Sequence, residues 1–345
     1  MIKDIIQEAF ILKNQGFYKH AIETLYKALE LDNVSIELLF EIADLYFLLK
    51  DEERALNYLE QILDKNPTHI DSLKLLKSIF ISKEAWKEAE QTAKNIYCIT
   101  KNTNDLSEIF KILNKQGYYT EIFEYEIKSF NENVLYEKSF AKFQTNEFDD
   151  ALFYINQALD LKPDNTDFNI LKGEILLKQN NDNEALNILH NLKIQPDCFK
   201  LLNFAGIVYQ RNGLYKEALE AFSKALKCNE QNDSCYYNCA STYFKMGDII
   251  QAKKYYNLAI SKNPNNQSYH LALANLYYAE KNYKRALEEL KDFNFYEAKL
   301  LKSIILADAG YIAIAKKEFE NLNQDFPEDI VVKEYIEKIN SQLKI

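Results

Sequence analysis

Apolar residues recur along this chain in paired blocks with helical spacing, and each pair is interrupted by a polar or glycine step near its middle. The recurrence has a fixed ruler. Ala21, Ala55 and Ala89 are evenly spaced, and Ala151 and Ala185 repeat the same step. So do Ala218, Ala252 and Ala286, and so do Gly213 and Gly247. The step is 34 residues. With this alanine set at position 20, units begin at Ile2, Ile36, Ile70, Thr103, Glu132, Thr166, Phe199, Asp233, Gln267 and Tyr296. Each unit predicts two helices, A and B, that meet near position 15. One further amphipathic segment, Glu328 to Ile345, predicts a last helix with Val331, Tyr335, Ile336 and Ile339 on one face.

The residue types at each position have physical reasons. Every unit carries Ala at position 20 except unit 4, which has Ile122. Position 8 holds Ala9, Ala43, Ser139, Gly173, Gly206, Ala240, Ala274 and Ser303. Small residues at both positions let helices A and B approach closely. Position 15 holds Gly16, Gly117, Gly213, Gly247 and Gly310, which can take the left-handed backbone that ends a helix. Position 32 holds Pro67, Pro163, Pro264 and Pro327, which stop helix B. Aromatics favour position 11 (Tyr46, Phe80, Tyr209, Tyr243, Tyr277) and position 17 (Tyr18, Trp86, Tyr119, Phe148, Tyr215, Tyr283). Position 24 is large and apolar in Leu25, Leu59, Ile155, Phe222, Tyr256 and Phe319. No unit can bury its apolar face alone, so neighbours must stack.

This arrangement resembles the tetratricopeptide repeat (TPR) family from residue 2 to about 329. The resemblance implies an all-α, right-handed superhelical solenoid of antiparallel helix pairs. Residues 1–329 are expected to form the TPR array of about ten repeats, and 330–345 a C-terminal capping helix. Two steps are short, from unit 4 to 5 and from unit 9 to 10, each 29 residues. Unit 4 also departs in residue type, with Phe110 at position 8, Ile122 at 20 and Glu126 at 24. Near 126–133 and 292–296 helix B is expected to shorten or the turn to tighten, with a kink at each place.

Composition narrows the class further. Only 7 of 345 residues are Gly and 5 are Pro, against about 12% together in an average protein. Hairpin-rich β folds and Gly-rich phosphate loops are thereby disfavoured. The repeat absorbs all of them but Pro196, which falls one residue early in a unit one residue short. Hydrophobic residues at 47% exclude a disordered polar chain. A net charge of -10 disfavours a nucleic-acid partner or an anionic membrane surface. No run approaches the length of a transmembrane helix, and the first residues lack the pattern of a signal peptide. Cys98, Cys198, Cys228, Cys235 and Cys239 are odd in number and read as reduced thiols. The chain is therefore expected to be cytoplasmic.

The resemblance also implies that helix A lines a concave groove through positions 2, 5, 6, 9, 12 and 13. Units 7 to 9 then offer Lys200, Asn203, Arg211, Tyr237, Asn238, Ser241, Phe244, Lys245, Asn275 and Tyr278 to a peptide. An asparagine such as Asn238 suits peptide backbone because its amide both donates and accepts. Unit 2 places Glu37, Glu41 and Asp44 on one stripe, an acidic groove patch for a basic partner or simply a solvated face. That stripe conflicts with the carboxylate clamp of some TPR proteins, which needs Lys, Arg and Asn there. Tyr136, Phe140 and Phe143 of unit 5 either receive apolar side chains or fill the core.

Catalytic and metal chemistry has little to stand on. Cys235 and Cys239, with His270 one repeat on, lack the spacing of a zinc site and read as packing residues. His20, His69 and His190 read as surface or turn residues. No phosphate loop, dinucleotide fingerprint or metalloprotease motif occurs. The expectation is a scaffold without enzymatic activity or cofactor that binds a peptide or protein partner. The alternatives are a recruitment subunit for a separate enzyme such as a glycosyltransferase or kinase, an enzyme hidden in the groove, and a self-association module.

Overall fold

In a computed structural model, residues 2–30, 35–126, 130–192 and 198–342 are described. They divide into two compact units, Met1–Gln179 and Asn180–Ile345. The first contains α1 (Ile2–Asn14), α2 (Tyr18–Leu29), α3 (Ile36–Leu48), α4 (Glu52–Lys65), α5 (Ile70–Ser82) and α6 (Trp86–Thr100). It continues through α7 (Thr103–Gln116), a 3-10 turn (Glu121–Glu124), α8 (Glu132–Gln144), α9 (Phe148–Leu161) and α10 (Thr166–Lys178). The second contains α11 (Asp182–Asn191), α12 (Phe199–Arg211), α13 (Tyr215–Cys228), α14 (Asp233–Lys245) and α15 (Ile249–Lys262). It ends with α16 (Gln267–Ala279), α17 (Tyr283–Leu290), α18 (Tyr296–Asp308), α19 (Ile312–Asp325) and α20 (Ile330–Gln342). No strand occurs among the described residues. The fold is all-α, of the TPR solenoid class. Every first helix begins at position 1 of its unit. Every second helix begins at position 17, except in unit 4.

The small residues stand where the helices meet. Ala21, Ala55, Ala89, Ala151, Ala185, Ala218, Ala252, Ala286 and Ala315 at position 20 are all 0% exposed, as is Ile122. At position 8 of α8, the Ser139 hydroxyl donates to the Ala151 carbonyl of α9 at 2.8 Å, which only a short side chain at close range allows. Aromatic hydroxyls tie neighbouring pairs together where burial leaves a polar tip. The Tyr26 hydroxyl bonds those of Tyr46 at 2.7 Å and Tyr58 at 3.1 Å.

One backbone device ends every first helix. Gly16, Gly117, Gly213, Gly247 and Gly310 adopt φ of 75–87°. The same left-handed turn is made at position 15 in the other units by Lys50, Glu84, Asn146, Asn180 and Lys281, at φ of 55–63°. The conformation therefore belongs to the repeat and is imposed by its tertiary frame even where glycine is absent. Two bonds close nine of these turns in the Schellman pattern, as in Glu84 N–H to the Ile81 carbonyl at 3.1 Å and Ala85 N–H to the Phe80 carbonyl at 2.8 Å. Glu84 is exposed, so changing it tests the backbone alone. Glu84→Gly is expected to raise stability by about 0.5–1 kcal/mol in urea unfolding, the left-handed strain of an L-residue less the extra chain entropy of glycine. An unchanged or lowered midpoint would show that the turn is not strained. Asparagine serves mainly at the helix starts, where the Asn165, Asn232 and Asn282 side chains accept the backbone N–H of Phe168, Cys235 and Arg285.

At the two 29-residue steps the second helix is cut down. In unit 4 it is the single turn Glu121–Glu124, and in unit 9 it is α17, of 8 residues. A lysine then occupies position 7 of the following first helix in both places, Lys138 on α8 and Lys302 on α18. The Lys302 ammonium donates to the carbonyls of Phe293 at 2.8 Å and Lys291 at 3.4 Å, capping the truncated end. Burial among these groups lowers its pKa.

On α20 the packed face differs from expectation by one residue. Val332 is 0% and Ile339 1% exposed, Tyr335 stacks on Phe319 at 5.0 Å, and Val331 stands 44% exposed. The i, i+3, i+4, i+7 face is Val332–Tyr335–Ile336–Ile339. Pro67, Pro163, Pro264 and Pro327 lie in turns after second helices, while Pro196 falls outside the described residues.

Candidate functional site

The unit 7–9 candidates lie on α12, α14 and α16, and the fold uses several of them itself. Tyr237 is half-buried. It stacks on Tyr269 with centroids 5.1 Å apart and packs against Tyr256 at 5.6 Å, filling the contact between helix pairs. Arg211 pairs with Asp182 at 2.8 Å and donates to the Asn180 side chain at 3.0 Å. The Tyr278 hydroxyl donates to the Asp308 carboxylate at 2.5 Å, and that bond, then burial, raises its pKa. Asn275 is exposed, with its amide nitrogen turned to the Leu271 carbonyl of its own helix at 3.0 Å. Asn238 is half-buried, and its backbone carbonyl receives Gln210 at 3.2 Å and Thr242 at 2.7 Å. Asn203 is half-buried with its Oδ1 enclosed and without a hydrogen-bond partner among the described residues.

The other candidates are distinguished by their exposure. Lys200 and Lys245 are exposed, Ser241 is half-buried, and Phe244 stands 43% exposed at the end of α14. A large apolar ring beside a cation and a hydroxyl is an arrangement that can hold a peptide side chain and its backbone.

The acidic stripe of α3 is partly neutralised from within. The Lys13 ammonium of α1 reaches Asp44 at 2.7 Å and Glu41 at 2.8 Å. Burial alone would lower the lysine pKa, but the two carboxylates outweigh it and raise it. Glu37 stays exposed near the helix start, where its own backbone N–H and the Ser35 hydroxyl lower its pKa. The patch therefore presents less negative charge than three carboxylates. Beside it, a cavity of about 250 Å³ is lined by Ile6, Phe10, Leu25, Lys13, Glu41 and Leu45. The sequence signal for the pairing was Lys13 at position 12 of unit 1, one helix away from the stripe.

The remaining candidates resolve into packing. Tyr136 stacks on Phe168 at 5.1 Å, Phe143 tilts against Phe148 at 6.1 Å, and both join Phe140 around the core of α8, α9 and α10. Cys235 and Cys239 are 0% and 3% exposed beside Phe222, and their mutual hydrogen bond and burial push the Cys239 thiol up. His270 sits between the Glu289 carboxylate and the Pro264 carbonyl, each at 3.0 Å. His69 caps α5 by accepting the Ser72 N–H at 3.3 Å. Among the described residues, no group of three or more His, Cys, Asp or Glu is placed to hold a metal ion. No described helix is long and apolar enough to cross a membrane.

Helix pairs of this register, with small residues at both crossing positions, define a class, and known proteins share it. Tetratricopeptide repeat profiles match residues 37–69, 142–196 and 210–276. The TPR repeat-containing protein YpiA of Bacillus subtilis is 25% identical over 77% of this chain and 63% of its own length. The TPR repeat-containing protein MJ1428 of Methanocaldococcus jannaschii is 27% identical over 84% of this chain and 55% of its own. The chain thus spans less than two thirds of either relative. The crystal structure of the APC/C hetero-tetramer Cut9–Hcn1 superposes with a TM-score of 0.59 at 13% identity, covering 98% of this chain and 76% of that one. This chain is a tetratricopeptide repeat protein.

Proposed function

We propose that this chain is a non-enzymatic scaffold or adaptor that holds a peptide or protein segment along the face made by its first helices. Nine helix pairs, with α7 and its 3-10 turn as the remaining repeat, form the binding repeats, and α20 serves as the cap on the last of them. The observation that carries this reading is the open edge of α14, where Phe244 is 43% exposed beside the exposed Lys245. Tyr237, Arg211 and Tyr278 already have partners within the fold, so this reading gives the leading part to Phe244 and Lys245. A rigid, preformed face suits this task, because only the partner then loses conformational freedom. The Cut9–Hcn1 structure is by its description a hetero-tetramer, which supports protein partners for a chain of this fold.

The test begins with an affinity pull-down from the native host and identification of the bound chains by mass spectrometry. Phe244→Ser together with Lys245→Glu is expected to weaken the captured partner by about tenfold or more, as loss of an aromatic anchor does. The helical melt should hardly change, since both side chains are exposed. Undiminished capture by this variant would place the interaction elsewhere.

A further inference from the structure

Where the second helix of unit 4 is cut to a single turn, α8 carries a charge that no oxygen among the described residues matches. Position 7 of a first helix faces the preceding second helix, and in five other units it is filled by buried Ile42, Ile109, Ala205, Cys239 and Leu273, while Lys172 holds it half-buried on α10. On α8 it is Lys138, 7% exposed. Its ammonium stands over three rings, 5.1 Å from Phe123, 5.1 Å from Phe130 and 5.6 Å from Tyr154. The comparison with Lys302 is instructive, because that ammonium, at the other short step, finds two backbone carbonyls. Among the described residues, Lys138 has neither a hydrogen-bond acceptor nor a carboxylate. Ring faces attract a cation, but they do not take up its N–H groups as an oxygen does. Burial accordingly lowers its pKa. Lys142, one turn on and 4.8 Å from the Phe123 ring, is already matched by Glu147 at 2.5 Å and Asp150 at 3.2 Å. Around the unmatched cation the surface is apolar and open, with Phe130 48% and Phe153 61% exposed.

We propose that the surface around Lys138 is a second docking site, on the second-helix side of Met1–Gln179, for a peptide segment that presents one carboxylate between apolar side chains. The carboxylate supplies the oxygen that Lys138 lacks, and its apolar neighbours cover Phe130 and Phe153. One cation framed by rings fits a singly charged carboxylate. A phosphate dianion loses more hydration and needs several strong donors, which the site does not offer. The site is independent of the α14 edge and stands whether or not a partner binds there.

Fluorescence anisotropy on the full chain tests this with two rhodamine-labelled, end-capped pentapeptides, Leu-Phe-Glu-Phe-Leu and the same peptide with Gln for Glu. The Glu peptide is expected to bind about tenfold more tightly, the scale of one charge-assisted hydrogen bond. The difference should vanish in Lys138→Met. Equal affinities in the parent chain, or a preference for Glu that survives Lys138→Met, would overturn the proposal. Displacement of the Glu peptide by millimolar inorganic phosphate would overturn it too, by assigning the cation to phosphate. Should Lys138→Met fail to fold, Phe130→Ser with Phe153→Ser carries the test, since both rings are exposed. That variant must melt normally and bind the Glu peptide at least about fivefold more weakly; unchanged binding refutes the site.

Discussion

Phe222→Ala is expected to cost about 3–5 kcal/mol in urea unfolding, and Gly206→Ala to destabilise as well although alanine is the better helix former. Gly206 sits at position 8 of α12 and Phe222 at position 24 of α13. A Cβ on Gly206 would lie 2.3 Å from Cε1, 2.5 Å from Cδ1 and 2.7 Å from Cζ of the Phe222 ring. The ring is 0% exposed and enclosed by Leu202, Ala218, Ala225, Cys235 and Cys239, so it has little room to turn away. Overpacking of this kind costs about 1–3 kcal/mol, which meets or exceeds the ~1 kcal/mol that alanine gains over glycine in a helix. The pair should also couple. Phe222→Leu removes the atoms that Gly206→Ala strikes, so the double variant is expected to lose less than the two singles combined, by at least about 0.5 kcal/mol. Strict additivity in that cycle would mean that the two residues do not constrain one another, and the close crossing of α12 and α13 would need another explanation.

The same crossing shows how much a sequence reveals about such a fold. Alanine at position 20 and small residues at position 8 were visible because contact between two helices leaves almost no freedom of residue size. The starts of the helices followed from them. Position 15 was only half legible. Its glycines are conspicuous, whereas Lys50, Glu84 and Lys281 make the same left-handed turn without any local signal, held by the two hydrogen bonds on either side. The groove was the least legible part. Tyr237 has the composition of a binding residue and the position of one, yet its ring is clasped by Tyr256 and Tyr269 from neighbouring helices. Glu41 and Asp44 looked like a free acidic stripe because Lys13, which neutralises them, lies a full repeat away. Helical periodicity reports which face a residue occupies. It does not report which neighbour has already taken its hydrogen bonds. The lysine at position 7 after each short step was no signal by itself, since Lys172 holds the same position on α10 after the full-length α9.

Phe110→Ala is the substitution on which sequence pattern and structure disagree most sharply. Ala is the usual residue at position 8, so the change restores the pattern of the repeat. It is nevertheless expected to lower stability by about 3–5 kcal/mol. Phe110 is 0% exposed on α7 and is among the largest fully buried side chains. It stands edge-on to Tyr125 at 5.3 Å and packs in one cluster with Ala89, Ile109, Ile122 and Val134. In eight of the other units a second helix crosses position 8 and the residue there is small, Lys77 of unit 3 being the exception. Here the turn Glu121–Glu124 replaces that helix, and the phenyl ring packs against the turn and Tyr125. Ile122, at 0% exposure, joins the same cluster from position 20. Removing the ring opens a cavity that four residues of 3-10 turn are too short to close. Ile122→Ala added to Phe110→Ala restores both small positions of the repeat and should destabilise the chain further. Urea unfolding gives the cost, and far-UV circular dichroism tests the reason. Were the double variant to keep its stability and gain helical signal, residues 119–126 would have refolded as a regular second helix, and the packing of the ring against the turn would not be what stabilises unit 4.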